Sequence, residues 1–383
     1  MKPLLRILAL LAFTTAAFPA IALETVARTA MVMDYDTGTV LMAKNADSPQ
    51  PPASMSKLMT LNMVFEALEA GRITLDEKFS VSANAVAVRG SSMFLNTRDR
   101  VTVEDLIKGV IVLSGNDASV VLAEGLAGSE AEFARQMTLR ARDLGMMEST
   151  FVNATGWPGQ GQLMSARDLV FLARRLIKVF PQYYQYFSMS EFAFDGRTPD
   201  NRFNRNPLLR LDIGADGLKT GRTDEAGFGL VGSAVRGDRR VIVMVNGMES
   251  AAARSSEAER LISWAFREFA METLFEGEVE LARAGVWLGE EAEVGLAPEE
   301  DIELLLPYRA LPQIRAEVVF DGPVEAPIAK GDTLGELVID IPDIGERRFA
   351  LLATADVAPA GFLDRFKAAF FILSARVMAG ELL

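Results

Sequence analysis

Residues 228–246 read FGLVGSAVRGDRRVIVMVN, two apolar runs hinged at Arg236-Gly237-Asp238. A connection this short joins only antiparallel strands, so the sheet that holds this hairpin is not of the doubly wound parallel kind. Residues 29–34 and 39–44 repeat the pattern around Asp36-Thr37-Gly38 near the start of the chain. Between the two hairpins the apolar spacing is helical, over 54–70 closed by Gly71, 103–112, 119–126, 130–144 and 166–179, and again over 258–270. Strands at both ends with helices between predict one α/β (α+β) domain, an antiparallel sheet flanked by helices whose terminal strands meet, over residues 23–271.

After this segment the texture changes. β-branched runs at 316–320, 334–341 and 349–354, punctuated by Gly and Pro, predict a small β-sandwich over 272–356. That stretch holds 20 Asp and Glu against 6 Lys and Arg, so the net charge of −13 resides almost wholly there. Such acidity repels phosphate backbones and excludes nucleic acid as an expected partner. At the N-terminus, Lys2 and Arg6 precede an apolar run at 7–18 and the small-x-small string Ala20-Ile21-Ala22, the order of a signal peptide over 1–22. At the other end, residues 360–383 place Phe362, Phe366, Phe370, Leu373 and Val377 on one helical stripe, with Arg365, Lys367 and Arg376 off it. This amphipathic helix is expected to attach to a membrane surface.

Among 383 residues there is no His and no Cys. Every mechanism that needs an imidazole or a thiolate is thereby excluded, and a hydrolase must rely on a hydroxyl with a Lys or carboxylate base, a carboxylate pair, or an oxygen-held metal. Three strings suit the first option. Ser54-Met55-Ser56-Lys57 follows Pro51-Pro52 and puts a hydroxyl and an amine one turn apart at a helix start, where backbone N–H groups favour developing negative charge. Ser114-Gly115-Asn116 closes an apolar run and offers a proton relay and an amide, although Ser82-Ala83-Asn84 has the same form and turn chemistry explains either. Lys219-Thr220-Gly221, on a strand, presents an ammonium and a hydroxyl at positions of opposite parity, with Gly leaving room for a substrate backbone. Lys57 must be neutral to act as a base, and the nearby cation of Lys219 is expected to depress its pKa.

These strings, in this order, form the set known from β-lactamases and penicillin-binding proteins. The chain resembles the low-molecular-mass penicillin-binding proteins of the D-alanyl-D-alanine carboxypeptidase type, the penicillin-binding protein 5 group. Further strings carry the resemblance: Pro52-Ala53 before Ser54, Arg89-Gly90-Ser91-Ser92, Asp117-Ala118 after Asn116, Ser165-Ala166-Arg167-Asp168, Asn204-Arg205-Asn206 and Asp216-Gly217-Leu218. The resemblance implies a β-lactamase/transpeptidase-like catalytic domain, with Ser54 as acylated nucleophile, Lys57 as general base, and Ser114 with Asn116 as proton-relay and amide-binding pair. It implies that Lys219 tunes the electrostatics, that Thr220 and Arg205 hold the terminal D-alanine carboxylate, and that Gly221 lines the substrate strand. The oxyanion hole would be the N–H groups of Ser54 and of the residue after Gly221.

That residue is Arg222, where the family commonly has His, so the position cannot titrate near neutral pH. The implied substrate is the peptidoglycan pentapeptide, with β-lactams as covalent inhibitors and no metal or cofactor. The implied location is the outer face of the inner membrane, in the periplasm. A secreted β-lactamase fits less well, since no deacylating Glu motif is found. A transpeptidase or endopeptidase on the same scaffold, and a non-catalytic wall-binding protein, are alternatives that cleft shape and activity decide.

Overall fold

A computed structural model of the chain describes residues 23–197, 200–342 and 345–361. The signal peptide expected over 1–22 and the amphipathic segment from 362 onward lie outside these residues. Strands β1 (Thr29–Asp34) and β2 (Val40–Lys44) form the first hairpin. A small pair, β3 (Lys78–Ser80) with β4 (Arg100–Thr102), follows among the helices. Strands β5 (Ala215–Thr223), β6 (Gly227–Arg236) and β7 (Arg239–Met248) complete a five-stranded antiparallel sheet of order β2-β1-β7-β6-β5. The two predicted hairpins are there, and β1 pairs with β7 from Thr29 opposite Asn246 to Asp34 opposite Val241, so the terminal strands do meet.

The apolar run in β7 reflects burial on both faces. Met31, Val231, Ile242 and Met244 belong to a core shared with the helices, while Ala30, Val32, Leu230, Val241, Val243 and Val245 pack in a second core with the last helix. Successive side chains thus alternate between two dry layers rather than between core and water. The first layer contains α1 (Lys57–Glu69), α2 (Ala83–Ala87), α3 (Val103–Lys108), α4 (Asn116–Ala127), α5 (Glu130–Asp143), α6 (Ala166–Val179) and the short α7 (Pro181–Tyr184). The second is covered by α8 (Ala251–Glu268), which contributes Ala258, Leu261, Ile262 and Ala265.

Three of the departures of helices from their expected bounds have a local reason. Residues 53–56 form a 3₁₀ turn ahead of α1, because Ala53 has φ +50° and the Met55 N–H donates to the Pro52 carbonyl. The apolar run at 109–113 is a π turn that ends at Ser114 in the left-handed region, φ 59°. The last helix begins seven residues earlier than its apolar period, at Ala251, capped by Ser250 Oγ, and gives way at Phe269 to a strand.

Beyond Glu268 lie β8 (Phe269–Phe275), β9 (Ala282–Trp287), β10 (Glu293–Ala297), β11 (Ile302–Pro307), β12 (Arg315–Val319), β13 (Val324–Glu325), β14 (Thr333–Ile341) and β15 (Gly345–Ala353). A six-stranded sheet and the β8–β11 pair enclose a third core, which includes Val294, Leu296, Ile302, Leu306, Leu337, Ile339 and Leu351. The three strands expected from sequence are β12, β14 and β15. The others, shorter or half-exposed, show no sustained alternation.

Candidate active site

Lys57 opens α1 with its side chain fully buried, pointing into the junction between the helical layer and edge strand β5. Its Nζ lies 2.7 Å from Asn116 Oδ1, 2.5 Å from the Thr155 carbonyl and 3.0 Å from Ser54 Oγ. The first two partners can only accept, because Asn116 Nδ2 is itself turned to donate to the Arg89 carbonyl at 2.6 Å. A neutral amine has two N–H bonds and one lone pair. With both N–H bonds so engaged, the lone pair faces the Ser54 hydroxyl. Burial, reinforced by the charge of Arg205 and opposed by Asp117 and Glu130, brings the Lys57 pKa from 10.5 to about 7. Loss of water is the first cause and Arg205 the second, while the repulsion expected between the two lysines acts on Lys219.

The second lysine, Lys219, is buried on β5 and donates to Ser114 Oγ at 2.9 Å and to the Thr220 carbonyl at 3.2 Å. Its pKa is driven well below the ordinary value by burial, then by Lys57, Arg205 and Arg254. The left-handed conformation of Ser114 turns its hydroxyl toward β5 and lets α4 begin at once with Asn116, so the relay hydroxyl and the amide sit on adjoining turns. The opposite parity predicted for the third string is present, since Lys219 pairs across with Val231 of the helical core and Thr220 with Leu230 of the α8 core. Gly221 is needed for close approach. A Cβ there would lie 3.0 Å from the Ala53 Cβ and the Pro52 carbonyl oxygen, so only glycine lets β5 run this near the Ser54 turn.

The two arginines stand in different surroundings. Arg205 projects from a loop fixed by its neighbours: Asn204 donates to the Met189 carbonyl and Asn206 to the Gly217 carbonyl. Its guanidinium donates to Ser91 Oγ and, at 3.2 Å, to Asn201 Oδ1, and the Ser91 carbonyl in turn accepts from the Asn116 N–H. Arg205 is thus joined to the catalytic group. Arg222 is 60% exposed, paired with Asp224 at 3.2 Å and laid over the Phe228 ring, at the rim rather than in the groove. The Ser165–Asp168 string stands apart from the site: Ser165 caps α6, and Asp168 accepts from Ser149 Oγ and the Glu148 N–H. Ser82 caps α2, the turn chemistry that its S-x-N form allowed.

Sequence reasoning assigned no role to four contributors. The first is Asn153-Ala154-Thr155-Gly156-Trp157, which supplies the carbonyl acceptor of Lys57. Asn153 Oδ1 ties the loop by accepting from the Thr155 and Gly156 N–H groups, and Trp157 covers Gly90. The second is Asp117, whose carboxylate gathers the N–H groups of Met93, Leu95 and Ala118 and the Ser92 hydroxyl. The third is Glu130, which accepts from the Ala154 N–H. The fourth is Arg254 of α8, buried beside Phe228, whose Nε has no hydrogen-bond partner among the described residues. Asp117 stands in a string that carries the resemblance, without a role read for it; the other three have no sequence signature beyond turn-forming composition or a lone charge. No cluster of three or more acidic side chains among the described residues could hold a metal ion.

A hydroxyl held against the lone pair of a buried lysine, with a second lysine–serine pair and an edge strand alongside, can acylate itself on a peptide carbonyl. The family model described as D-alanyl-D-alanine carboxypeptidase matches residues 14–250. The chain belongs to that family. It is accordingly a serine-type hydrolase of D-alanyl-D-alanine termini. Residues 269–358 match the C-terminal domain of penicillin-binding protein 5. The chain is 37% identical over 348 residues to D-alanyl-D-alanine carboxypeptidase DacC of Escherichia coli strain K12, covering 88% of this chain and 86% of that one. It is 32% identical over 350 residues to DacF of Bacillus subtilis strain 168, covering 89% and 88%. Penicillin-binding protein 5 of Haemophilus influenzae superposes with a TM-score of 0.72 at 32% identity, over 88% of this chain and 98% of that one. Penicillin-binding protein D2 of Listeria monocytogenes, solved in an ampicillin-bound form, matches with a TM-score of 0.57 at 34% identity, over 64% and 98%.

Proposed function

We propose that this carboxypeptidase removes the terminal D-alanine of peptidoglycan pentapeptide stems through an acyl-enzyme on Ser54, and that β-lactams trap the same serine. The observation that carries the reading is the orientation of Lys57, whose only free valence is a lone pair 3.0 Å from Ser54 Oγ. Lys57 takes the Ser54 proton as Oγ attacks the carbonyl of the penultimate D-alanine. The resulting oxyanion lies against the N–H groups of Ser54 and Arg222. Ser114, held by Lys219, gives its hydroxyl proton to the departing nitrogen and is reprotonated from the Lys57 ammonium, so D-alanine leaves and Lys57 is again a neutral amine. Water, deprotonated by Lys57, then cleaves the ester and restores Ser54. The substrate carboxylate is received by Thr220 and Arg205, with the buried guanidinium of Arg254 adding positive charge that reaches Lys219. Asn116 holds the substrate amide, and Gly221 admits the peptide backbone.

Trimming of this kind limits cross-linking during wall synthesis. The N-terminal 22 residues and the tail from 360 support a chain exported to the periplasm and held on the outer face of the inner membrane. The test is covalent labelling with a fluorescent penicillin, in wild type and Ser54→Ala, followed by D-alanine release from a diacyl-Lys-D-Ala-D-Ala peptide. Label and release that both depend on Ser54 are expected; a Ser54-independent adduct, or none, refutes the mechanism.

A further inference from the structure

The Ala154 peptide is gripped from two helices. Its carbonyl accepts from Thr60 Oγ1 of α1 at 2.7 Å, and its N–H donates to Glu130 Oε1 of α5 at 3.0 Å. Thr60 lies one turn from Lys57 on the same face of α1, and the next carbonyl along the loop, that of Thr155, is the one that accepts from Lys57 Nζ. Glu130 is half-buried in the first turn of α5, where Ser129 already caps the helix, so the carboxylate is not needed as a cap. We infer that Glu130 is a positioning residue for the Lys57 base: it clamps the loop that carries the base's carbonyl acceptor, and its carboxylate faces the amine.

Two separable effects follow, one of geometry and one of field. Geometrically, releasing the Ala154 N–H frees the loop on the α5 side, and Thr155 can then drift from Nζ. A lone pair no longer confined by two acceptors points at Ser54 for less of the time. Electrostatically, the groups facing Lys57 are the guanidinium of Arg205 from its loop and the amine of Lys219 from β5, against Asp117 from α4 and Glu130 from α5. Glu130 in turn is faced by Glu124 of α4 and by Lys57 itself. Its anion favours the protonated amine, so its removal shifts Lys57 further toward the free base.

The inference rests on Lys57 acting as base for Ser54, and the test separates the two. In the mature chain, the second-order rate of acylation by a fluorescent penicillin is followed against pH for wild type, Glu130→Gln and Glu130→Ala. Gln keeps an acceptor oxygen for the Ala154 N–H and removes the charge. Its acid limb is expected to move to lower pH by a few tenths of a unit, with an unchanged plateau. Ala removes both effects, and its plateau is expected to fall roughly tenfold or more. Superimposable profiles for wild type and Glu130→Gln overturn the inference, as does a Glu130→Ala variant altered only in Tm; if the Ala variant does not fold, the Gln profile decides alone. Loss of Ser54-dependent labelling in the wild type would instead fail the underlying mechanism.

Discussion

Lys57 has none of its surface in water, and for an ammonium that is a large penalty. A fall in pKa from 10.5 to about 7 corresponds to roughly 5 kcal/mol against the protonated form in the folded chain. The depressed value means that the unfolded chain binds the extra proton between pH 7 and 10.5, so folding stability gains with pH across that window. The penalty is in full force below pH 7. Lys57→Met, which cannot protonate, should therefore unfold at a Tm whose advantage over wild type is greatest near pH 6 and shrinks as pH approaches 10. Calorimetry at both ends checks this, and a pH-independent difference would show that the amine is not shifted. Activity should follow the complementary course in the wild type, with acylation rising through an acid limb near pH 7. The pairing of Ser54 with Lys57 was legible in four residues of sequence, and so was the need for a neutral amine. The origin of that neutrality was not, because burial depends on the Thr155 carbonyl and the Asn116 amide closing over Nζ from segments about 100 and 60 residues away.

At the scale of elements, periodicity reported what packs and missed what bends. The β6–β7 hairpin and α5 and α6 follow directly from runs of two-fold or helical spacing, since their side chains fill continuous cores. The 3₁₀ turn at Ser54, the π turn before Ser114 and the loop at 153–157 carry the chemistry instead. Their shapes come from close approaches between distant backbones that no local pattern encodes. Gly156 is the sharpest case. It has φ +76°, and a Cβ there would fall 1.9 Å from the carbonyl oxygen of Ala53, the residue before the nucleophile. Gly156→Ala adds about 1–3 kcal/mol of left-handed strain and must also push the Ala53 peptide aside. The expected result is a fall of about a hundredfold in penicillin acylation while thermal unfolding remains cooperative. Gly128→Ala, also at positive φ but with open space around it, serves as the control for strain alone and should acylate normally. Equal losses in both would put the effect in backbone strain rather than in the contact with the Ser54 turn.

Across the whole molecule, the acidic β-rich part shares little with the catalytic part. Strands β8 to β15 pair only among themselves, and the third core draws on residues from 274 onward. What crosses is local to the end of α8: Arg239 donates to the Phe269 carbonyl, the Tyr308 N–H to the Glu268 carbonyl, and Trp264 meets Phe269 edge-on with ring centroids 5.3 Å apart. None of these touches Ser54, Lys57 or β5. A chain of residues 23–268 should accordingly keep its kcat/KM on a soluble diacyl-Lys-D-Ala-D-Ala peptide within about threefold, since distant and unshared sites add nearly independently. Its Tm should fall by a few degrees as Trp264 and Phe266 lose their cover. A chain ended at Ala360 separates the module from the tail, and no helix among the described residues is long and apolar enough to cross a membrane. If the Phe-rich segment beyond 361 is the attachment, this chain should be active, as stable as the chain of residues 23–383, and absent from sedimented anionic vesicles that capture the longer one. Vesicle binding by the chain ended at Ala360 would move the attachment elsewhere. A tenfold loss of kcat/KM in the chain ended at Glu268 would show that the acidic module shapes the catalytic cleft across the α8 junction.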